Sequence, residues 1–262
     1  MTAARRAADR IPPGLRRPGA PAFGTWIKLP TLETLELLAD AGFEFVVVDL
    51  EHSPLGLESA SRLIFGAQAL GMAALVRVPD RSGALLQRLL DAGADGILVP
   101  QVTSVDQAVA AVRGMTFAPR GDRGMGATSR AGRWGTSPVD DYLAAGDDVI
   151  RCMQIEDLDG LDQAERLLDV EGLTAVFVGM GDLTMSSQLP ADSERITVAV
   201  AGLVATATER GLPCGTAVRT AEAAVAATDQ GFSFIMVSND ATMFGHAAAA
   251  LGRAVRTALD RR

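Results

Sequence analysis

Residues 45–52 read FVVVDLEH, a short apolar run that ends in two carboxylates and an imidazole. A continuous apolar run of this length, rich in β-branched residues, is typical of a strand in a parallel sheet that is buried on both faces. A buried strand that carries acids and a histidine at its C-terminal end is unusual for a purely structural segment. The stretch therefore predicts a parallel sheet and one wall of an active site.

Seven further apolar segments alternate with helix-forming segments along the chain. The predicted strands are 23–28, 45–50, 73–78, 96–100, 149–155, 173–178, 213–217 and 234–238. Eight such units predict an α/β fold, a single-domain (β/α)8 TIM barrel over residues 22–262. An open doubly wound sheet is the alternative, but no Gly-x-Gly-x-x-Gly follows the first strand, so its dinucleotide-binding form has no support.

The segments between the strands differ in regularity. Most are predicted as helices, and five of these end in a glycine, which enters the left-handed conformation without a Cβ penalty: Gly42, Gly71, Gly93, Gly211 and Gly231. One helix is expected over about 160–168, and a loop after the sixth strand. Residues 116–148 are predicted as a long ordered loop, with Phe117, Trp134 and Tyr142 as its apolar anchors.

Residues 1–21 are predicted to form a flexible tail, because five arginines alternate there with alanine, proline and glycine. The tail lacks the apolar stretch of a secretory signal. A net charge of −8 argues against nucleic acid or an anionic membrane as a partner. Cys152 and Cys214 lie in strand-like segments and are predicted to be buried free thiols, which favours a cytoplasmic protein.

The small numbers of histidines and lysines limit the kinds of metal site and covalent catalysis that this chain could have. His52 and His246 are the only histidines, which excludes a histidine-rich zinc site. A metal would rest mainly on carboxylates, which favours Mg²⁺ or Mn²⁺. Lys28 is the only lysine and so the only candidate for a Schiff base.

In a (β/α)8 barrel the active site lies at the C-terminal ends of the strands, and the polar residues of this chain collect there. Glu156 and Asp182 follow neighbouring strands, where two carboxylates repel each other unless a proton or a cation lies between them. We expect a divalent cation; the alternative for Asp182 is that it caps the next helix. Gly179 and Gly181 are expected to let backbone N–H groups approach an anion.

Two further strand ends supply candidate catalytic groups. Arg77 ends an apolar strand, where a guanidinium needs a partner. That partner is either a keto or carboxylate oxygen of a substrate, or Asp49 or Glu51. His52 is expected to act as a base oriented by Asp49.

One acid outside the strand ends is expected to have a supporting role. Asp91 ends a helix, where its charge opposes the helix dipole. An arginine is therefore its expected partner, near the site or across a subunit contact.

Six segments, in this order and spacing, resemble the HpcH/HpaI aldolases, which are metal-dependent class II pyruvate aldolases. The resemblance covers residues 22–258 and is carried by VDLEH at 48–52, VRVP at 76–79, LDAGA at 90–94, PRGDRG at 119–124, QIE at 154–156 and FVGMGDL at 177–183. Residues 129–131 and 134–136 are most similar to the branch of the family that acts on sugar acids.

The resemblance implies an aldolase that cleaves a 4-hydroxy-2-oxo acid to pyruvate, or a related 2-oxo acid, and an aldehyde. It implies that Glu156 and Asp182 bind Mg²⁺, Mn²⁺ or Co²⁺, and that Arg77 holds the keto oxygen and the enolate. It implies that His52 with Asp49 moves the proton. Two further implied roles concern the substrate: Gln154 positions it, and the backbone at Gly181 and Asp182 binds its carboxylate.

The resemblance also implies a homo-oligomer, a hexamer built as a trimer of dimers, in which the last helix is exchanged between subunits. The sequence departs from the family pattern at Met180, at Asp157 and in segment 186–192, which border the expected carboxylate pocket. Three other functions stay open: a lyase for CoA thioesters of the malyl or citryl type, a barrel that binds a 2-oxo acid without catalysis, and a Schiff-base aldolase that uses Lys28.

Overall fold

A computed structural model describes residues 10–261 of the chain. Eight parallel strands pair in sequence order, and β1 pairs with β8, so the sheet closes into a barrel. The strands are β1 Ala22–Ile27, β2 Phe45–Asp49, β3 Ala73–Arg77, β4 Gly96–Val99, β5 Ile150–Ile155, β6 Ala175–Val178, β7 Cys214–Val218 and β8 Phe234–Asn239. The predicted (β/α)8 barrel is confirmed.

Helices surround this barrel. They are α1 Leu32–Asp40, α2 Leu57–Ala69, α3 Gly83–Asp91, α4 Val105–Met115, α5 Val139–Asp147, α6 Leu158–Asp162, α7 Ala164–Leu168, α8 Met180–Ser187, α9 Glu194–Glu209, α10 Ala221–Asp229 and α11 Asp240–Leu259. The five glycines predicted to end helices all have positive φ, between 71° and 94°. No helix within residues 10–261 combines the length and the apolar content that a membrane span requires.

Aromatic rings fill the barrel interior. The rings of Phe45 and Phe234 meet edge to face at 6.3 Å. Two glycines on neighbouring strands make room for them, because a Cβ at Gly24 would lie 2.4 Å from the Phe45 ring and a Cβ at Gly215 would lie 2.1 Å from the Phe234 ring. A separate apolar layer packs between the strands and the helices.

The N-terminal end of the barrel is covered by residues that the sequence assigned to the tail. Ile11 and Leu15 are buried in the interior cluster, and a short 3-10 helix spans Pro13–Leu15. The described part of the predicted tail, residues 10–21, therefore packs against the barrel. Residues 1–9, the rest of that prediction, lie outside the described residues.

The connecting segments depart from prediction in three places. The irregular stretch contains helix α5, whose Asp140 and Asp141 lie in its first turn, where acids stabilise a helix. Helix α8 replaces the loop expected after β6, and the helix expected over 160–168 is two short helices. Helices α5 and α8 were missed because a helix of eight or nine residues leaves little apolar periodicity in the sequence.

The prediction of three apolar anchors for residues 116–148 was partly wrong. Phe117 and Tyr142 pack together at 5.2 Å between ring centroids and are buried. Trp134, the third predicted anchor, is 73% exposed. Cys152 and Cys214 are free and buried as predicted, and burial raises the pKa of both thiols, which keeps them neutral.

Candidate active site

Strand alternation places the site residues inside the barrel. Phe45 and Val47 of β2 point into the interior, so Asp49, two residues further, points there too. Asp49 is paired with Arg77 in the parallel register of β2 and β3. The two residues thus form the last layer of interior side chains at the C-terminal end of the barrel.

The Asp49 carboxylate has no exposed surface and is surrounded by donors. Arg77 donates from Nε to Oδ1 at 2.9 Å and from Nη2 to Oδ2 at 2.7 Å, and Lys28 Nζ also donates to Oδ2. Burial alone would raise the pKa of Asp49. The hydrogen bonds and charge of Arg77, then the hydrogen bond of Lys28, outweigh burial and lower that pKa to about 2. Asp49 is therefore a carboxylate at neutral pH.

The guanidinium of Arg77 is buried between an aromatic ring and two acids. It lies 4.1 Å from the centroid of the Trp26 ring, and its Nη1 lies 3.2 Å from Oε2 of Glu51. The structure thus shows the ion-pair alternative for Arg77, with Asp49 and Glu51 together. The contact of Arg77 with a substrate oxygen stays a prediction.

The imidazole of His52 is not oriented by Asp49, in contrast to the expectation. Asp49 Oδ1 accepts the backbone N–H groups of Glu51 at 3.1 Å and His52 at 3.2 Å, which fixes the turn after β2. The acid near the imidazole is Glu51, with 3.7 Å between His52 Nε2 and Glu51 Oε2. The reason is geometric: Asp49 points into the barrel, whereas the imidazole lies beyond the strand end and is 57% exposed.

Gln101 is a site residue to which the sequence assigned no role, and Glu51 was named only as a possible partner of Arg77. Glu51 Oε1 accepts a hydrogen bond from Gln101 Nε2 at 3.1 Å, while its Oε2 is buried with no hydrogen-bond partner among the described residues. Gln101 also donates its backbone N–H to Glu156 Oε1 at 2.7 Å, from a left-handed conformation with φ of 54°. A faint signal for Gln101 was its position directly after Pro100 at the end of β4.

Glu156 lies at the end of β5 and carries the most perturbed carboxyl group of the site. Burial raises its pKa to about 7, with hydrogen bonds from Gln101 and Gln154 opposing the shift and the charges of Asp182 and Glu51 adding to it. Gln154 Nε2 donates to Glu156 Oε2. Burial, reinforced by the charges of two neighbouring acids, thus favours the protonated form of Glu156.

Of the two glycines singled out after β6, one leaves room for side chains. A Cβ at Gly179 would lie 2.8 Å from Cβ of Glu156 and 3.0 Å from Nε2 of Gln154, so only glycine lets these side chains approach the β6 end. Gly181 has open space around it. Asp182 lies in the first turn of α8, where Gly179 is the N-cap, so Asp182 does not take the N-cap position.

A cavity of about 570 Å³ opens above this end of the barrel. Glu156 and Asp182 line it together, as the sequence predicted for adjacent strand ends. His52, Glu51 and Arg81 line it as well. Its volume is in the range of small-molecule sites.

The donor set of the cavity fits a hard divalent cation. Glu156, Asp182 and Glu51 line the cavity and offer carboxylate oxygens, and Gln154 Oε1, beside Glu156, is a buried acceptor without a hydrogen-bond partner in the described part of the chain. Oxygen ligands of this kind suit Mg²⁺ or Mn²⁺. No group of three or more His, Cys, Asp or Glu side chains within residues 10–261 is arranged to hold a metal by itself. Water and substrate oxygens would complete the coordination.

Asp91 has the arginine partner that its position predicted. Arg123 Nη2 donates to Asp91 Oδ1 at 3.0 Å, and the guanidinium of Arg123 stacks on Phe117 at 4.3 Å. This pair joins α3 to segment 116–148 within one chain and away from the cavity, so the expected place near the site or across a subunit contact was wrong. Asp91 therefore supports the fold of that segment.

Comparison with known proteins identifies relatives over most of the chain. A family model described as HpcH/HpaI aldolase/citrate lyase matches residues 22–247. The chain is 33% identical over 237 residues to a hydroxypyruvate/pyruvate aldolase of Sagittula stellata, covering 89% of this chain and 93% of the relative.

Two further matches agree with this. The chain is 31% identical over 237 residues to a 4-hydroxy-2-oxo-heptane-1,7-dioate aldolase of Escherichia coli, covering 89% of this chain and 90% of the relative. The crystal structure of an HpcH/HpaI aldolase/citrate lyase family protein from Burkholderia cenocepacia superposes with a TM-score of 0.85 at 30% identity, covering 92% and 97% of the two chains.

Proposed function

The chain belongs to the HpcH/HpaI aldolase/citrate lyase family, and we propose that it is a divalent-metal-dependent aldolase. The substrate is a 4-hydroxy-2-oxo acid of the sugar-acid type, which the enzyme cleaves reversibly to pyruvate, or a related 2-oxo acid, and an aldehyde. The observation that carries the metal dependence is the pair Glu156 and Asp182, whose carboxyl groups line one cavity at the C-terminal end of the barrel.

Glu156 and Asp182 would hold Mg²⁺, Mn²⁺ or Co²⁺. A divalent cation at this place, when bound, would polarise the oxygens of a 2-oxo acid. Gln154, which is hydrogen-bonded to Glu156, would help to position the acid, and the backbone at Gly181 and Asp182 would bind its carboxylate. The open space around Gly181 leaves room for that group.

Arg77 and His52 would carry the chemical step. In the cleavage direction the imidazole of His52 takes the proton of the 4-hydroxyl group, and the bond between C3 and C4 breaks. Its electron pair forms the enolate of the 2-oxo acid, whose oxygen faces the guanidinium of Arg77, and C4 leaves as the aldehyde carbon. A proton then returns to C3. Asp49 supports both residues through its bonds to Arg77 and to the backbone of His52.

We also propose a homo-oligomer, a hexamer built as a trimer of dimers, in which α11 packs on a neighbouring subunit. The support is the apolar surface that this helix exposes, which includes Phe244 and Leu251. A cytoplasmic location is proposed on the free cysteines Cys152 and Cys214, which suit a reducing compartment.

The test is deuterium exchange at C3 of pyruvate, followed by NMR with Mg²⁺, Mn²⁺ or Co²⁺ and with EDTA. We expect exchange with metal, none in EDTA, and loss of exchange in Glu156→Gln and Asp182→Asn. Glu165→Gln, which removes an exposed acid on α7, is the matched control and keeps the wild-type rate. Full exchange in EDTA would contradict the proposal.

Two further measurements separate the rival functions. Cleavage of malyl-CoA, beside a panel of 4-hydroxy-2-oxo acids, tests the CoA-thioester lyase. Metal-dependent binding of oxalate without any exchange at C3 would instead indicate a barrel that binds 2-oxo acids and does not react with them.

A further inference from the structure

Lys28 follows β1 and extends its side chain to the residues at the tip of β2. Its Nζ donates to Oδ2 of Asp49 and, at 3.0 Å, to the backbone carbonyl of His52. We propose that Lys28 is a positioning residue: it is a second counter-ion for Asp49, which allows Arg77 to turn towards the substrate, and it fixes the turn that carries His52. This inference rests on the proposed aldolase reaction.

The first part of the argument is charge balance. Asp49 is fully buried, and its Oδ2 accepts from both Arg77 Nη2 and Lys28 Nζ. If Arg77 served a substrate enolate while it was the single cation near Asp49, it would leave a buried carboxylate unpaired, which is costly. With Lys28 in place, Asp49 keeps a cation when the guanidinium is shared with the substrate.

The second part is the contact with His52. The turn after β2 is held by the side chain of Asp49, which accepts two backbone N–H groups, and by Ser53 Oγ, which donates to the Asp49 carbonyl. Lys28 adds a bond to the carbonyl of His52 from a different strand. The ends of β1 and β2 are thereby joined at the residue that presents the imidazole.

Lys28 is itself held in place from the opposite side. Its backbone N–H donates to Oδ1 of Asp240 at 2.9 Å, and the next residue, Leu29, donates to Oδ2 at 3.0 Å. Asp240 is 4% exposed at the start of α11. A surface lysine that merely reached a nearby acid would not need such a buried anchor.

The same contacts argue against Lys28 as a Schiff-base nucleophile. That role needs a neutral amine with free access to a carbonyl carbon. Here Nζ is in an ion pair with Asp49 and is also bonded to a carbonyl oxygen. The side chain acts through Asp49 and His52 and need not touch the reacting atoms.

The experiment compares Lys28→Met, Lys28→Arg and the control Arg62→Met, which removes one exposed cation of α2. Exchange at C3 of pyruvate is measured with metal for kcat and KM, and oxalate inhibition reports on binding of an enolate analogue. We expect Lys28→Met to lower kcat about 10- to 100-fold, the usual effect of losing a supporting contact. We expect oxalate to bind more weakly by a similar factor, while the KM for pyruvate changes little.

Lys28→Arg should recover most of kcat, because it restores a cation beside Asp49. Wild-type kcat in Lys28→Met, or no recovery in Lys28→Arg, would overturn the proposal. So would an equal loss of affinity for pyruvate and oxalate. If Lys28→Met does not fold, Lys28→Gln, which also removes the charge, takes its place with the same expected losses, and wild-type kcat in that variant overturns the proposal.

The outcomes also separate this inference from the proposed function. If wild-type protein with metal gives no exchange and no cleavage, the proposed function fails. If the wild type is active and the lysine variants match it, only the inference fails. Treatment with borohydride and pyruvate is a further experiment. Because Lys28 is the only lysine in the sequence, a mass increase on its side chain would identify a Schiff base. That result would overturn both the proposed function and the inference on Lys28.

Discussion

Arg77 donates two hydrogen bonds to the buried carboxylate of Asp49, from Nε to Oδ1 at 2.9 Å and from Nη2 to Oδ2 at 2.7 Å. The two residues are direct neighbours in the register of β2 and β3. Their pairing places a guanidinium at the top of the barrel, one edge facing Asp49 and Nη1 facing Glu51. The site is thus built around a cation that the fold orients before any ligand is bound.

The first prediction concerns acid stability. The pKa of Asp49 is about 2 in the folded protein, against 3.8 ordinarily, so its stabilising effect is present above pH 3.8 and is lost as pH falls towards 2. The shift corresponds to roughly 2 kcal/mol of unfolding free energy. Urea unfolding of wild type and Asp49→Asn should show a difference that shrinks across this pH window.

The exposed Asp192→Asn serves as the control for this measurement. Its unfolding free energy should follow the wild type at each pH. If the difference between wild type and Asp49→Asn is the same at pH 2 and pH 5, Asp49 is not held as an ion by Arg77 and Lys28.

The second prediction concerns the metal-free protein. The pKa of Glu156 is raised from 4.5 to about 7, so the folded state binds a proton more tightly than the unfolded state. Its contribution is present below pH 4.5 and is lost as pH rises through 7. In EDTA, the unfolding free energy should fall by up to about 3 kcal/mol between pH 5 and pH 8.

Glu156→Gln should remove most of that decrease, because glutamine has no proton to lose. Adding Mg²⁺ or Mn²⁺ at pH 8 should restore stability to the wild type and have little effect on the variant. A wild-type profile identical to that of Glu156→Gln in EDTA would show that the carboxyl does not titrate in this range.

The third prediction tests the room left by Gly179. A Cβ there would lie 2.8 Å from Cβ of Glu156, so Gly179→Ala should force this side chain away from the cavity. Overpacking of this kind costs about 1–3 kcal/mol, and exchange at C3 of pyruvate should fall with it. Gly202→Ala in α9, where nothing lies within 4 Å of the added carbon, should keep the activity and raise the stability by up to about 1 kcal/mol. If the two variants had the same stability and the same activity, the backbone at Gly179 would be able to shift and accept the added carbon at little cost.

Much of this architecture could be predicted from the sequence because it follows from strand periodicity. Once β2 and β3 are buried parallel strands, alternate residues point inward, which brings Asp49 and Arg77 together in one layer. The same rule puts Gln154 and Glu156 on one face at the end of β5. The five glycines that end helices could be predicted because the left-handed conformation at a helix end favours glycine over other residue types.

The rest depends on contacts between segments far apart in the chain. His52 lies beyond the strand, where alternation no longer applies, so the sequence could not show that its imidazole lies nearer Glu51 than Asp49. Gln101 acts through its backbone N–H, which is present in almost every residue type. The contact between Lys28 and Asp49 depends on the pairing of β1 with β2, and the sequence alone does not show which side chains that pairing brings together.

The fourth prediction concerns the N-terminal end of the barrel. Leu15 has no exposed surface and packs in the interior cluster, whereas Leu37 of α1 is 72% exposed. Leu15→Ala should lower the unfolding free energy by about 2–5 kcal/mol, as expected for a buried leucine. Leu37→Ala should change it by less than about 0.5 kcal/mol. Urea titrations at pH 7 compare them, and equal small effects would show that residues 10–21 contribute little to the fold.

The last prediction concerns α11, whose apolar side chains Phe244, Leu251, Val255 and Leu259 are each more than half exposed. Their spacing of seven and four residues places them on one helix face, as for a surface that another subunit covers. Sedimentation should therefore find wild-type protein well above its chain mass of 27.3 kDa, and Leu251→Glu should shift it towards the monomer, because a buried unpaired charge is costly. Thr257→Glu places the same charge on the same helix away from this face and should leave the assembly intact. If both variants sediment like the wild type, α11 is not the contact that holds the subunits together.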